Sequence, residues 1–242
     1  MLRYGKVLPI VCACCLFGHI WTVNVRSADS SSSKDEKSGV KQVPVGKNVI
    51  LEVEGDKKRV LVQAVVCLRD GLLEQLMTKK QTKEHEAILA ADVDARHIHA
   101  ALLAAGLKPG STVKFSPKFA SPTGPQINIT LRYEEKDKTI TVPAKDWLRG
   151  SKGKKLPDYE WVFAGSQFVE NNLNPKEPPY YLANDGDVIC VSNFESALLD
   201  VNIASSADND SLNFEANTPK IPEKGTKVTV ILEPVAEKKK DK

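Results

Sequence analysis

The clearest helical run in this 242-residue chain is residues 95–105, and it stands alone among short β-like segments. Asp94 is placed to cap it, because a short side-chain oxygen there accepts from the free backbone N–H groups of the first turn. Gly106 suits the left-handed residue that ends a helix. Between them Ile98, Ala101, Leu102 and Ala105 recur at helical spacing, so one face is apolar and has to be covered. With no second long helix to pack on, that face predicts a sheet beneath it.

The rest of the chain supplies strands. Residues 49–53 and 59–68 flank Glu54-Gly55-Asp56-Lys57 and read as a hairpin rich in β-branched residues. Residues 127–133 alternate cleanly, turn through 135–138 and return as 139–142, the most secure hairpin in the sequence. Shorter strands are expected at 72–77, 85–93, 112–115, 161–169 and 227–232. A tight hairpin is expected from 180–183 to 187–191 around Asn184-Asp185-Gly186. Residues 116–125 are a loop punctuated by proline, and 143–149 one or two helical turns. The predicted fold is therefore α+β, dominated by antiparallel hairpins, with the helix at about 95–105 packed on the sheet.

The N-terminus has the layout of a secretory signal: Arg3 and Lys6, an apolar run over 7–25, then Arg26-Ser27-Ala28. Cleavage after Ser27 places Val25 and Ser27 at the two small-residue positions. An uncleaved run is long enough to act as an anchor, the one route to membrane contact, and lipidation at Cys14 is a third option. Residues 1–28 are thus read as a signal peptide or anchor, 29–39 as a disordered Ser/Lys linker, 40–235 as the folded domain and 236–242 as a charged tail. The expected location is the periplasm or cell envelope.

Charge and cysteine content exclude whole classes. The net charge of +3 equals the contribution of Arg3, Lys6 and Arg26, so the exported part is neutral and has no net field to recruit nucleic acid. Of five cysteines, Cys12, Cys14 and Cys15 lie in the signal. The remaining Cys67 and Cys190 cannot build a four-cysteine iron–sulfur cluster. They sit in apolar strand-like runs, as small buried hydrophobes or as a disulfide if their strands are neighbours.

Three of the four histidines fall within 82–110, beside acids. Imidazole and carboxylate suit zinc and related divalent ions, so His85, His97 or His99 with Glu86, Asp92 or Asp94 is the candidate metal set. His97 and His99 are two apart, roughly 200° around a helix, so at most one of them joins His85. The alternative is structural: His99 at the edge of the core face, His97 towards solvent or the first turn, and His85 with Glu86 bonded to a neighbouring loop. Ala164-Gly165-Ser166 lacks the glycines of a nucleophile elbow, and Gly150 to Lys154 is too short for a phosphate loop.

A resemblance enters at 83–89, Lys-Glu-His-Glu-Ala-Ile-Leu, then Asp92-Val93-Asp94, His99 to Leu103 and Gly106-Leu107-Lys108-Pro109-Gly110. With Leu73 to Leu76 before it and Trp161 to Ser166 after it, this pattern resembles the YdjY-like family of exported bacterial proteins over roughly residues 45–235. The resemblance matches His85, Glu86 and His99 and passes over His97. It implies no established activity; some members carry a ferredoxin-type label, which two cysteines do not support.

The functional expectation is a non-catalytic binding or accessory module of the cell envelope, meeting a protein or small ligand. One rival is a metal-binding protein or metal-dependent enzyme using His85, Glu86 and His99. The other is a redox accessory protein working through Cys67 and Cys190.

Overall fold

The computed structural model describes residues 39–170, 176–208 and 210–236. The chain opens with β1 (Val40–Gly46), β2 (Val49–Glu54) and β3 (Lys57–Val66), then β4 (Leu72–Leu73), β5 (Gln75–Lys79) and β6 (Ala87–Ala91). Helix α1 (Ala95–Ala104) follows. Next come β7 (Gln126–Glu135), β8 (Lys138–Pro143), β9 (Leu148–Gly150), β10 (Trp161–Phe163), β11 (Phe168–Val169) and β12 (Tyr180–Tyr181). β13 (Ile189–Cys190), β14 (Leu199–Val201), β15 (Phe214–Ala216) and β16 (Lys227–Pro234) complete the set.

Strand pairing runs β3, β16, β7, β10, β14, β13, β5, β6, and β6 pairs back with β3, which closes an eight-stranded barrel. Closure leaves the ring without a free edge. It is possible because β3 and β7, ten residues each, divide one edge between two partners. β3 pairs with β2 and then, at Val65 and Val66, with β6. β7 pairs with β8 and then, at Gln126 and Ile127, with β10. Register partners stay on one face around the ring: Val66 opposes Leu89, Leu89 opposes Met77, Met77 opposes Ile189, Ile189 opposes Leu199 and Leu199 opposes Phe163. These side chains are buried, and with Trp161, Leu131 and Val230 they fill the interior. The barrel is a packed core and not a channel.

This overturns the expected α+β arrangement of a helix laid on an open sheet. The strands are numerous enough to cover one another by closing, so α1 is an accessory element. It buries Ala95, Ile98, Ala101 and Leu102 against β1, β2, β3 and the 3₁₀ turn Leu182–Asp185 on one flank. Asp94 caps it as its sequence position suggests, accepting from the Arg96 backbone N–H.

The hairpin over 127–142 forms as β7 and β8, with Lys136 and Asp137 both at positive φ, the signature of a tight two-residue turn. The 49–68 hairpin forms as β2 and β3. Three expectations fail for local reasons. Asn184-Asp185-Gly186 does not join a hairpin: residues 182–185 are a 3₁₀ turn, β12 pairs with β11, and β13 leaves to pair with β5 and, in parallel, with β14. The strand expected over 161–169 breaks at Gly165 and Ser166, both at positive φ. Residues 112–115 make only isolated bridges, because they belong to a projecting excursion.

A separate three-stranded sheet, β4–β15–β9, adds Leu73, Phe214 and Leu148 to the core. The expected signal or anchor at 1–28, most of the expected 29–39 linker and nearly all of the charged tail lie outside the described residues. Among the described residues no helix is long and apolar enough to cross a membrane.

Candidate functional site

Since the barrel interior is filled, a ligand has to be met on the outside. On β14, Leu199 and Val201 point inward, so alternation turns Asp200 to the outer face. The chain after β13 is bonded to it, and a groove beside that chain is lined on its other side by a second loop region.

That second region is the excursion 111–123. Its neck is closed by paired backbone bonds between Ser111 and Thr123, of 3.2 and 2.9 Å, and a second pair joins Lys114 and Ala120 at 3.0 and 2.9 Å. Glycines flank the neck because nothing larger fits. A Cβ on Gly110 would lie 2.1 Å from the Thr123 carbonyl oxygen, and one on Gly124, at φ +146°, 2.2 Å from the Phe163 carbonyl oxygen. At the far end Phe115 and Phe119 stand with ring centroids 6.2 Å apart and remain 56% and 41% exposed.

The other region is formed by the chain after β13 and after β14, tied together over Asp200. The Asn193 side chain donates to the Asp200 carboxylate at 3.0 Å and to the Val201 carbonyl at 3.2 Å, while its own oxygen accepts from the Ser205 backbone N–H at 2.8 Å. The backbone N–H groups of Phe194 and Val201 also donate to Asp200. Ser205 Oγ donates to the Val191 carbonyl at 2.7 Å. Asp200 is completely buried, and desolvation pushes its carboxyl up to about 8 against the opposing pull of these donors. The network is therefore a bonded floor whose members already have partners.

Between the two regions lies a groove of about 850 Å³, lined by Phe115, Phe119, Phe194, Asn193, Glu195 and Asp208 among others. Its walls combine exposed aromatic faces with carboxylates, and its floor is pre-organised by hydrogen bonds. Such a concave site with few fixed polar groups is suited to holding a ligand.

A second polar cluster adjoins the groove through Phe194. The Lys83 ammonium sits 4.2 Å from the Phe194 ring centroid and 2.9 Å from Asp187 Oδ1. Gln75 and Ser196 donate to the same carboxylate at 3.1 and 2.5 Å. Nearby, burial and then the adjacent Glu86 carboxylate push Glu74 up to about 7. Gln75 Oε1 and Ser192 Oγ are buried without a hydrogen-bond partner.

The candidate metal set of His85, Glu86 and His99 does not come together among the described residues. His85 is exposed on the loop before β6, with Nε2 3.6 Å from Glu86 Oε2. His99 is half-buried on α1, its Nδ1 2.8 Å from the Tyr181 hydroxyl, which donates its own proton to the Gly165 carbonyl at 2.8 Å. The hydroxyl has only one proton, so Nδ1 of His99 carries the hydrogen between them and the ring is held as one neutral tautomer. Burial pushes its pKa down. His97 lies on α1 against Gly46. Asp92 pairs with Lys47 at 2.5 Å, and Asp94 is held by Arg96, which depresses its pKa strongly. Among the described residues no three His, Cys, Asp or Glu side chains stand close enough to hold a metal ion.

Of the two alternatives left open for the cysteines, the disulfide is not the one formed. Cys67 and Cys190 are free thiols. Cys67 follows β3, Cys190 lies on β13, and β6 and β5 run between them. Three strand spacings of about 4.8 Å exceed the roughly 7 Å that a disulfide spans between Cα atoms. Burial pushes the Cys67 thiol up to about 11 and that of Cys190 well above its ordinary value, the reverse of what a reactive thiolate needs.

Residue typing therefore missed Phe115, Phe119, Phe194 and Asp200. The one sequence signal for the groove was two phenylalanines at a spacing of four in a polar, proline-punctuated segment, where a soluble surface has no use for them.

Comparison with known proteins sets this arrangement in context. Neither a curated protein nor a solved structure matches the chain. The family model for the YdjY domain matches residues 51–233, well over half of the chain and the whole closed ring from β3 to the body of β16. The protein that carries this barrel and its flanking groove belongs to the YdjY family.

Proposed function

We propose that this YdjY domain is a non-catalytic binding or accessory module of the cell envelope, and that the groove over β14 is its ligand seat. The observation that carries the reading is the pairing of exposed Phe115 and Phe119 with a floor whose polar groups are already bonded. Exposed aromatic faces are costly to leave in water and gain by being covered. The Asn193, Asp200 and Ser205 groups are bonded to one another and to the backbone, and they hold the loops in place. Export rests on the N-terminal sequence, with its basic start and apolar run.

Ligand-induced stabilisation tests the seat. The full chain and an Ala204→Trp variant, which fills the groove from an exposed lining position, are melted with fractionated envelope extract. A fraction that raises the melting temperature of the parent and not of the variant, with its active compound recovered unchanged, supports the proposal. A compound returned chemically altered overturns the non-catalytic part, and the absence of any stabilising fraction overturns the seat. Fusing residues 1–38 to a phosphatase that folds only outside the cytoplasm tests export, and an inactive fusion refutes it.

A further inference from the structure

We infer that the groove selects a small organic cation of the ammonium class, an inference that rests on the groove being a ligand seat. Three features converge. Phe115, Phe119 and Phe194 are the aromatic members of its lining. Its charged members among the described residues, Glu195 and Asp208, are both carboxylates, and no described lysine, arginine or histidine lines it. The chain outside the N-terminal run is neutral, so the two carboxylates are a feature of the lining and not a reflection of an acidic protein.

An aromatic ring carries negative potential on its face, and an ammonium group set over that face is attracted by it, more strongly where water is excluded. The molecule already uses one of these rings in this way, since Lys83 sits over Phe194. Lys83 is not part of the lining, and its charge is spent on Asp187, whose side chain is 4% exposed. The groove side thus keeps two exposed rings and two carboxylates without a cation of their own among the lining residues. An anion entering it meets repulsion from Glu195 and Asp208. A neutral apolar compound covers the rings and strips water from the carboxylates without replacing it. An ammonium group satisfies rings and carboxylates together, and about 850 Å³ is ample for a small molecule.

The test compares choline with its neutral carbon isostere, 3,3-dimethylbutan-1-ol, which has the same shape without the charge. Each is titrated calorimetrically into the full chain in non-ionic detergent. Choline is expected to bind about tenfold more tightly than the isostere, the range of a partly desolvated cation–π contact. The Phe115→Ala, Phe119→Ala double variant is expected to lose at least about tenfold in choline affinity while melting as the parent does, because both side chains are exposed. Glu195→Gln and Asp208→Asn each weaken choline and leave the isostere unchanged. Equal binding of the two probes overturns the cation inference and leaves the seat standing as an apolar one. No binding of choline overturns the inference as well, and the extract experiment then judges the seat separately.

Discussion

Residues 82–110 and the groove built by 111–123 with the loops after β13 and β14 divide between them the two things a site needs. The first region holds three of the four histidines beside four acids, and the fold scatters the histidines: His85 to solvent, His97 against Gly46, and His99 into a hydrogen bond with Tyr181. The second holds phenylalanine, serine and asparagine, none of which draws attention as chemistry, and the fold gathers them around a cavity. Reactive residue types mark a site only when backbone geometry converges them. A cavity can be made from ordinary residues wherever two loops are held apart over a firm floor.

The comparison can be broken most forcefully at the neck of the excursion. Gly124→Ala places a Cβ 2.2 Å from the Phe163 carbonyl oxygen at a φ of +146°. Urea unfolding is expected to show a loss on the order of 3 kcal/mol. A variant as stable as the parent would mean that the excursion is not pinned there.

Tyr181→Phe addresses the histidine region. It leaves the Gly165 carbonyl and His99 Nδ1 without their shared partner, and a loss of about 2 kcal/mol in the same assay is expected. An unchanged midpoint would show that His99 is not held structurally.

The groove floor is read by pH. Asp200 has an ordinary pKa of 3.8 unfolded and about 8 folded, so between those values the native state holds the extra proton. Stability from this group is full below about pH 4 and is lost as pH rises towards 8. Glu74, raised from 4.5 to about 7, adds to the same fall. Denaturant midpoints measured from pH 4 to 9 should decline, and Asp200→Asn should remove more than about 1 kcal/mol of that slope. A slope unaffected by the substitution would place the proton elsewhere.

The smallest effect belongs to His85→Ala. With the side chain 76% exposed, its stability should lie within about 0.5 kcal/mol of the parent. The zinc content of the purified chain should also be unchanged. Stoichiometric zinc lost in this variant would restore the histidine region as a metal site.

Much of the local structure was legible. The Asp94 cap, the 127–142 hairpin and the 49–68 hairpin all depend on residues within a few positions of one another. The closed barrel was not legible, because closure depends on β6 meeting β3 and on β13 leaving a turn-like sequence to run parallel to β14. Two-residue strands such as β11 and β13 carry too little pattern to be read. Of the groove, only the phenylalanine pair showed. Asp200 sits between Leu199 and Val201 like any outward residue of a strand, and its burial comes from loops whose path depends on Asn193 and Ser205 meeting across them.

By itself the sequence determined family membership, the position and cap of α1 and the local hairpins, because each rests on short-range backbone preference or on a continuous motif. Only the tertiary structure decided whether the sheet closed, where the histidines went, that the two thiols stayed apart and that a cavity stood over β14. Those outcomes depend on contacts between residues distant in the chain, and the pattern around any one residue carries no record of its partner.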